Sequence, residues 1–259
     1  MNDNNKNLGT ENDFGYEWDN YPEILPIHEI QFENWITPFK TKDFKGKTFL
    51  DAGCGIGRNS YWALKKGAKN CIAFDFDHRT VKVAKKNLQN FTNAKVKFLS
   101  IYDLNMPDTF DIAFSIGVIH HLEDPKIAVE NLFNSLKEGG ILIIWVYAKE
   151  GNENYIRLLK TLRFFTIRLP LTIVKIIAKA LSIILWVTLK IIANNDYLRM
   201  IRKFSLKHLE AIIFDQLFPS ISNYWTKKEV IELINNLKVK SYELNHTNNY
   251  SWTLICKKE

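Results

Sequence analysis

The chain has 259 residues, of which 46% are apolar and 24% charged, with a formal net charge of +7. That is enough apolar material for one domain or one domain with an elaboration, and it argues against a disordered or fibrous chain. The charge is uneven: between Tyr155 and Glu210 eleven Lys and Arg are opposed by Asp196 and Glu210 alone. The remainder is slightly acidic, so the overall basicity is no argument for a nucleic-acid partner. Residues 1–12 are polar and Asn-rich, unlike a secretion signal or a membrane anchor. Cys54, Cys71 and Cys256 make no CxxC pair, and a reducing, cytoplasmic setting is expected. Phe14-Gly15-Tyr16-Glu17-Trp18 and Tyr21-Pro22 form an aromatic knot ahead of a predicted helix over 24–37. Its rings either cover a sheet or close over a ligand, in which case Tyr16 and Trp18 touch substrate; aromatic faces attract cations.

The most informative stretch follows. A short apolar strand, Thr48–Leu50, runs into Asp51 and then Gly53-Cys54-Gly55-Ile56-Gly57, and a helix begins at about Ser60 and closes at Gly67. Glycines at such a turn let the backbone bend sharply and let a ligand approach without a Cβ in the way. A dinucleotide site wants Gly-x-Gly-x-x-Gly, but counted from Gly53 the third position is Arg58. Asp-x-Gly-x-Gly-x-Gly resembles instead the first motif of the class I S-adenosylmethionine-dependent methyltransferases. In that family the acid, here Asp51, lies near the methionine end of the cofactor. A carboxylate there suits a sulfonium and an ammonium and would repel a pyrophosphate.

A second apolar strand, Cys71–Phe74, ends at Asp75. An acid about 20 residues beyond the glycines, at the tip of the second strand, can accept from both ribose hydroxyls. Asp77 reads as the N-cap of a helix over 79–90. The resemblance implies that Asp75 holds the ribose and that Phe76 lies beside the adenine. After a third strand, Val96–Leu99, the resemblance gives Asp103, next to Tyr102, the adenine amino group; as a plain residue before Pro107 it could equally be part of a turn.

A fourth strand, Phe110–Ser115, opens into Ile116-Gly117-Val118-Ile119-His120-His121-Leu122-Glu123-Asp124-Pro125. This resembles the loop after strand four in the ubiquinone/menaquinone-type branch of the family. Cys54, Ser115 and Ile116 complete the implied cofactor set. Adjacent histidines point in different directions and no zinc-spaced partners accompany them, so no metal is expected. His120, His121 and Tyr147 are candidate catalytic residues for an acceptor that must lose a proton. Pro125 opens a helix to about Leu136, and a fifth strand covers Ile141–Tyr147.

Five apolar strands alternating with helices argue for a parallel sheet covered on both faces. The expected fold is α/β: a Rossmann-like, seven-stranded, mostly parallel sheet with a helical insertion after strand five. Its closing elements are a helix over 226–237, with Thr226 and Glu229 as a capping box, and strands Val239–Leu244 and Ser251–Cys256. Segments of 1–40, 41–147, 148–224 and 225–259 describe the chain. Within the insertion, 171–192 is almost wholly apolar except for one narrow face carrying Lys175, Lys179 and Lys190. Three readings stay open: a buried cap over the site, a homodimer contact, or a helix in an anionic membrane surface, which would make the protein peripheral on the inner face. Asp215, Gln216 and Tyr224 are candidate substrate contacts from their place in the chain.

The resemblance as a whole implies methyl transfer from S-adenosylmethionine, leaving S-adenosylhomocysteine, to a small lipophilic or membrane-associated acceptor such as a quinone, lipid or glycan intermediate. A nucleic-acid acceptor is not expected, because the basic segment is interleaved with Ile and Leu rather than aromatic residues. A cofactor-binding membrane-surface protein without catalysis is the rival from another class.

Overall fold

A computed structural model of the chain describes residues 21–192, 196–219 and 221–259. These residues divide into two compact units: one built from 22–151 and 221–259, and a helical one that includes 152–219. The first unit is organised by a seven-stranded sheet of order β3-β2-β1-β4-β5-β7-β6. The strands are β1 (Thr48–Ala52), β2 (Asn70–Asp75), β3 (Ala94–Phe98), β4 (Phe110–Ile116), β5 (Leu136–Tyr147), β6 (Val239–Thr247) and β7 (Ser251–Lys258). The first five run parallel, and β7 lies antiparallel between β5 and β6. This is the expected α/β architecture. Order reverses at β1, whose neighbours are β2 and β4, so the carboxyl ends of those strands border the crevice where ligands bind in such sheets.

The central strands are apolar on both faces, as strands covered on two sides must be. Ile112, Phe114, Ile143 and Trp145 join one core, while Ala113, Leu142, Ile144 and Val146 join the other. The first core is covered by α1 (Ile27–Ile36), which contributes Phe32, Trp35 and Ile36. The Phe114 ring lies 5.4 Å from that of Phe32 and 5.7 Å from those of Phe44 and Phe49. The Thr253 hydroxyl donates to the Trp35 carbonyl at 2.8 Å, pinning α1 to β7. The opposite core is covered by α4 (Pro125–Asn134) and by Val230 of α9 (Lys227–Glu232). Two further helices, α2 (Arg58–Lys65) and α3 (His78–Asn87), connect the first three strands.

Most boundaries shift by a few residues from the sequence reading, and the following shifts have a visible physical cause or consequence. The helix over 24–37 begins only at Ile27, after Pro26, because proline fits the start of a helix and not its interior. The Thr226–Glu229 capping box forms, the Thr226 N–H donating to the Glu229 carboxylate at 2.7 Å, but α9 ends at Glu232. Strand β5 starts at Leu136 rather than Ile141, with a register shift opposite Phe110 and Ile112. Lys137–Gly140, which lie between the predicted helix and the predicted strand, belong to this irregular strand. Gly139 has φ +69°, and a Cβ on Gly140 would stand 2.9 Å from the Lys137 carbonyl oxygen.

The helical unit contains α5 (Glu153–Thr166), α6 (Leu171–Ile191), α7 (Asp196–Ile201) and α8 (Leu206–Leu217). Val174 and Ala178 of α6 are buried among Phe214, Leu217 and Phe218. The Thr166 hydroxyl donates to the Leu217 carbonyl at 2.6 Å, and the Arg163 guanidinium to that of Gln216 at 2.7 Å.

Phe114 is fully buried at the meeting of four rings. Phe114→Ala is expected to cost about 3–5 kcal/mol by lost transfer energy and a residual cavity. Urea unfolding followed by far-UV circular dichroism measures it; a loss below about 1 kcal/mol would show that the ring cluster is not the keystone of this face.

Candidate cofactor and acceptor site

The turn after β1 is built by three glycines with left-handed backbones: φ is +73° at Gly53, +53° at Gly55 and +79° at Gly57. At Gly53 there is a second requirement, because a Cβ would stand 2.4 Å from a Val118 methyl carbon. Val118 belongs to the loop after β4, so this contact brings the two loops together. The Gly53 and Cys54 N–H groups both donate to the Phe74 carbonyl at 2.9 Å, which fixes the turn against β2. Cys54 is buried, and loss of water raises its thiol well above its ordinary value.

Two carboxylates flank this turn. Asp51 is 1% exposed and accepts the Ser60 hydroxyl at 2.7 Å. Burial pushes its carboxyl up to about 7, against the Ser60 bond, with the Asp75 charge adding to the rise. Asp75 is half-buried at the tip of β2 and accepts the Gly55 N–H at 3.0 Å and the Asp77 N–H at 3.2 Å. Loss of water raises it to about 6 in spite of those bonds. Asp77 caps α3, accepting the N–H groups of Arg79 at 2.7 Å and Thr80 at 3.1 Å. Beyond Asp75, the rings of Phe76 and Phe98 stack at 5.2 Å, and His78 lies over Phe98 at 3.7 Å. Phe76 and Phe98 are 39% and 43% exposed, an apolar platform open to a flat ligand.

The remaining positions divide by what holds them. The Tyr102 hydroxyl accepts the Asp124 N–H at 3.1 Å, tying the turn after β3 to the start of α4, and Asp103 is exposed beside it. The Ser115 hydroxyl donates to the Ala52 carbonyl at 3.0 Å and knits β4 to β1. Ile116 is buried at the end of β4.

Past Val118 the loop makes one turn of 3-10 helix, Ile119–His121. His120 is fully buried, its ring 4.2 Å from those of His121 and Tyr147. The segment 221–225 returns alongside. The Asn223 N–H donates to the His120 carbonyl at 2.9 Å, the Trp225 N–H to the Tyr147 carbonyl at 3.1 Å, and the Tyr224 ring stacks on Tyr147 at 5.3 Å. His121 Nδ1 lies 2.6 Å from the Ile221 carbonyl oxygen. A carbonyl only accepts, so Nδ1 carries the proton, and in the neutral ring Nε2 carries the lone pair. His120, His121, Tyr147 and Tyr224 are thus gathered at one place, next to the loop that meets Gly53. Asp215 and Gln216 lie in the helical unit, where the Gln216 amide donates to Asp215 at 3.4 Å and accepts from the Tyr155 hydroxyl at 3.5 Å. Tyr16 and Trp18 lie outside the described residues. The described residues hold no group of His, Cys, Asp and Glu placed to bind a metal ion.

The sequence carries no signal for the roles of Ser60, Val118 and the Ile221 carbonyl. Ser60 lay in the predicted helix, but nothing in the chain pairs it with Asp51; the other two act through a methyl group and a backbone oxygen.

Residues 50–144 match the model of the methyltransferase domain family. Over that stretch the chain is similar to methyltransferase domains. A tRNA U34 carboxymethyltransferase of Actinobacillus succinogenes is 31% identical over 111 residues, 42% of this chain and 35% of that protein. The chain spans less than half the length of the curated relatives it matches. Among solved structures, a methyltransferase of Thermotoga maritima, described as a possible histamine N-methyltransferase, aligns at a TM-score of 0.57 and 14% identity. That alignment covers 96% of this chain and all of the other. The Burkholderia thailandensis 1,6-didemethyltoxoflavin-N1-methyltransferase, bound to its acceptor and S-adenosylhomocysteine, aligns at 0.54 and 12% identity over 96% of this chain and 86% of its own. At such identities the likeness is one of fold.

The donor fits what the domain presents. A sulfonium and an ammonium brought beside two desolvated carboxylates relieve the strain that raises their pKa values, whereas a phosphate would increase it. An acid raised in the folded state holds protons that the unfolded chain has released. The ligand-free protein therefore loses stability as pH climbs from about 4 through about 7, and a cationic ligand returns it. Calorimetric titration is expected to show S-adenosylmethionine affinity falling about tenfold between pH 7.5 and 5.5, a dependence that Asp51→Asn reduces to the part owed to Asp75. A flat profile would mean that Asp51 does not face the cationic end. Gly53→Ala is expected to destabilise the fold and weaken donor binding by at least about tenfold, and Val118→Ala beside it to restore only the steric part.

Proposed function

We propose that the protein transfers a methyl group from S-adenosylmethionine to a small, lipophilic, ring-bearing acceptor held against His120, His121, Tyr147 and Tyr224. The observation that carries the reading is the His121–Ile221 bond, which sets an imidazole with its lone pair on Nε2 in an aromatic cluster beside the donor turn. Asp51 would take the charged methionine end, Asp75 the ribose, and the Phe76–Phe98 platform the adenine. Bound there, the donor supplies an electrophilic methyl that leaves its sulfur in an in-line displacement. The protein's part is to hold the acceptor in line and exclude water. If the acceptor is a phenol or alcohol, His121 Nε2 receives its proton, while Nδ1 keeps its bond to the Ile221 carbonyl in both charge states. Quinols, lipids and glycan intermediates with a hydroxyl share this chemistry.

A tRNA acceptor is the second reading, suggested by the relatives named tRNA U34 carboxymethyltransferase. The positive excess at residues 155–210 offers it some support, but Ile and Leu separate those cations rather than rings on which bases would stack.

Incubation with methyl-labelled donor separates the readings. Label in a quinol, phenol or lipid extract supports the first, label in total tRNA overturns it in favour of the second, and donor binding without any label favours a protein that only binds. Asp75→Ala is expected to abolish donor binding in calorimetry with the circular dichroism spectrum unchanged. His121→Ala is expected to lower turnover of a hydroxyl acceptor by about 10²–10⁴ with donor affinity retained. Unchanged turnover would remove His121 from the chemistry.

A further inference from the structure

We propose that α6, with the last turn of α5, seats the protein on an anionic lipid surface, lying in the plane of the interface. Helix α6 has 21 residues and, by length and composition, could cross a membrane. Its packing argues for a different placement. Val174, Ala178, Ser182 and Leu189 are buried, and the helix packs along α8 with Phe214, Leu217 and Phe218. Crossing a bilayer would draw α8, with Lys207, Glu210 and Asp215, into hydrocarbon alongside it.

The opposite face is apolar and open. At about 100° per residue Ile173, Ile176, Ile183, Ile184, Val187 and Ile191 form one stripe turned away from α8. Ile176 is 68% exposed, Ile184 61% and Ile191 79%. The last turn of α5 adds Phe164 and Phe165, 58% and 62% exposed, and the residue after it adds Ile167. A run of large apolar side chains of this extent marks a contact site.

Charge selects the occupant. Lys175, Lys179 and Lys190 follow one flank between the buried face and the open stripe, at the level lipid headgroups occupy when the stripe is immersed. Lys190 Nζ lies 3.3 Å from the Trp186 ring centroid, and the Arg168 guanidinium 4.1 Å from that of Phe164, so a cation accompanies an aromatic ring at each end of the patch. A second copy of the chain would bring the same basic segment against itself, which its excess of positive charge opposes. Phosphatidylglycerol-like headgroups complement it.

The proposal stands on the helical unit alone and does not depend on the acceptor. Flotation of the whole protein with vesicles of phosphatidylcholine and phosphatidylglycerol in equal parts, against phosphatidylcholine alone, tests it. Binding is expected to the mixed vesicles only and to weaken as salt rises. Ile176→Glu with Ile184→Glu should reduce it at least about tenfold, and Lys175→Gln and Lys179→Gln about fivefold each. All these positions lie on α6, so the variants should keep the wild-type circular dichroism spectrum and affinity for S-adenosylhomocysteine. Failure of the folded protein to float, flotation indifferent to the two glutamates, or a dimer that those glutamates dissociate would overturn the proposal, and retained S-adenosylhomocysteine affinity would show that the donor site is unaffected.

Discussion

A methyl group of Val118 occupies the space where a side chain at residue 53 would stand, and the site is assembled around that contact. It sets the loop after β4 on the turn after β1. One side of the junction holds the carboxylates of Asp51 and Asp75; the other leads within three residues to the histidine pair. Neither loop could reach this position with a Cβ between them, and no other residue adopts the backbone at Gly53 as readily. The hydroxyl of Ser115, bonded to the Ala52 carbonyl, braces the same junction from beneath.

Burial gives the junction its electrostatic character. Loss of water raises Asp51 and Asp75, and the Ser60 hydroxyl and the Gly55 N–H only partly offset it. Carboxylates held at such a cost are poised for a positively charged ligand, since its arrival turns an unfavourable desolvation into a favourable pairing. A positively charged methyl donor and an acidic crevice are in this sense one design. On the far side, the imidazole of His121 is oriented by a backbone oxygen.

Much of this could be read from the residues. The five apolar strands, the acids at Asp51 and Asp75, the glycine spacing and the Asp77 and Thr226 caps are local patterns, and local patterns survive folding. What escaped was long-range. Val118 lies far along the chain from Gly53, and Ile221 is a hundred residues from His121; a methyl contact and a carbonyl oxygen leave no mark in composition. The start of β5 is hidden in the sequence because Lys137–Gly140, just after its first residue, carry a charge pair and two glycines typical of a turn. The bond from the Ser115 hydroxyl to the Ala52 carbonyl is likewise long-range, visible only once β4 lies beside β1.

The placement of β7 bears on how the protein is made. It is the last of the seven strands to be synthesised, yet it lies between β5 and β6. The apolar flank of β5 therefore emerges from the ribosome and waits, unpaired, while helices α5 to α9 and β6 are translated. During that interval the nascent chain exposes both a sheet edge and the greasy face of α6. Its dependence on chaperones should accordingly be greatest late in translation, and slow codons in the stretch encoding the helices would lengthen the hazard rather than relieve it.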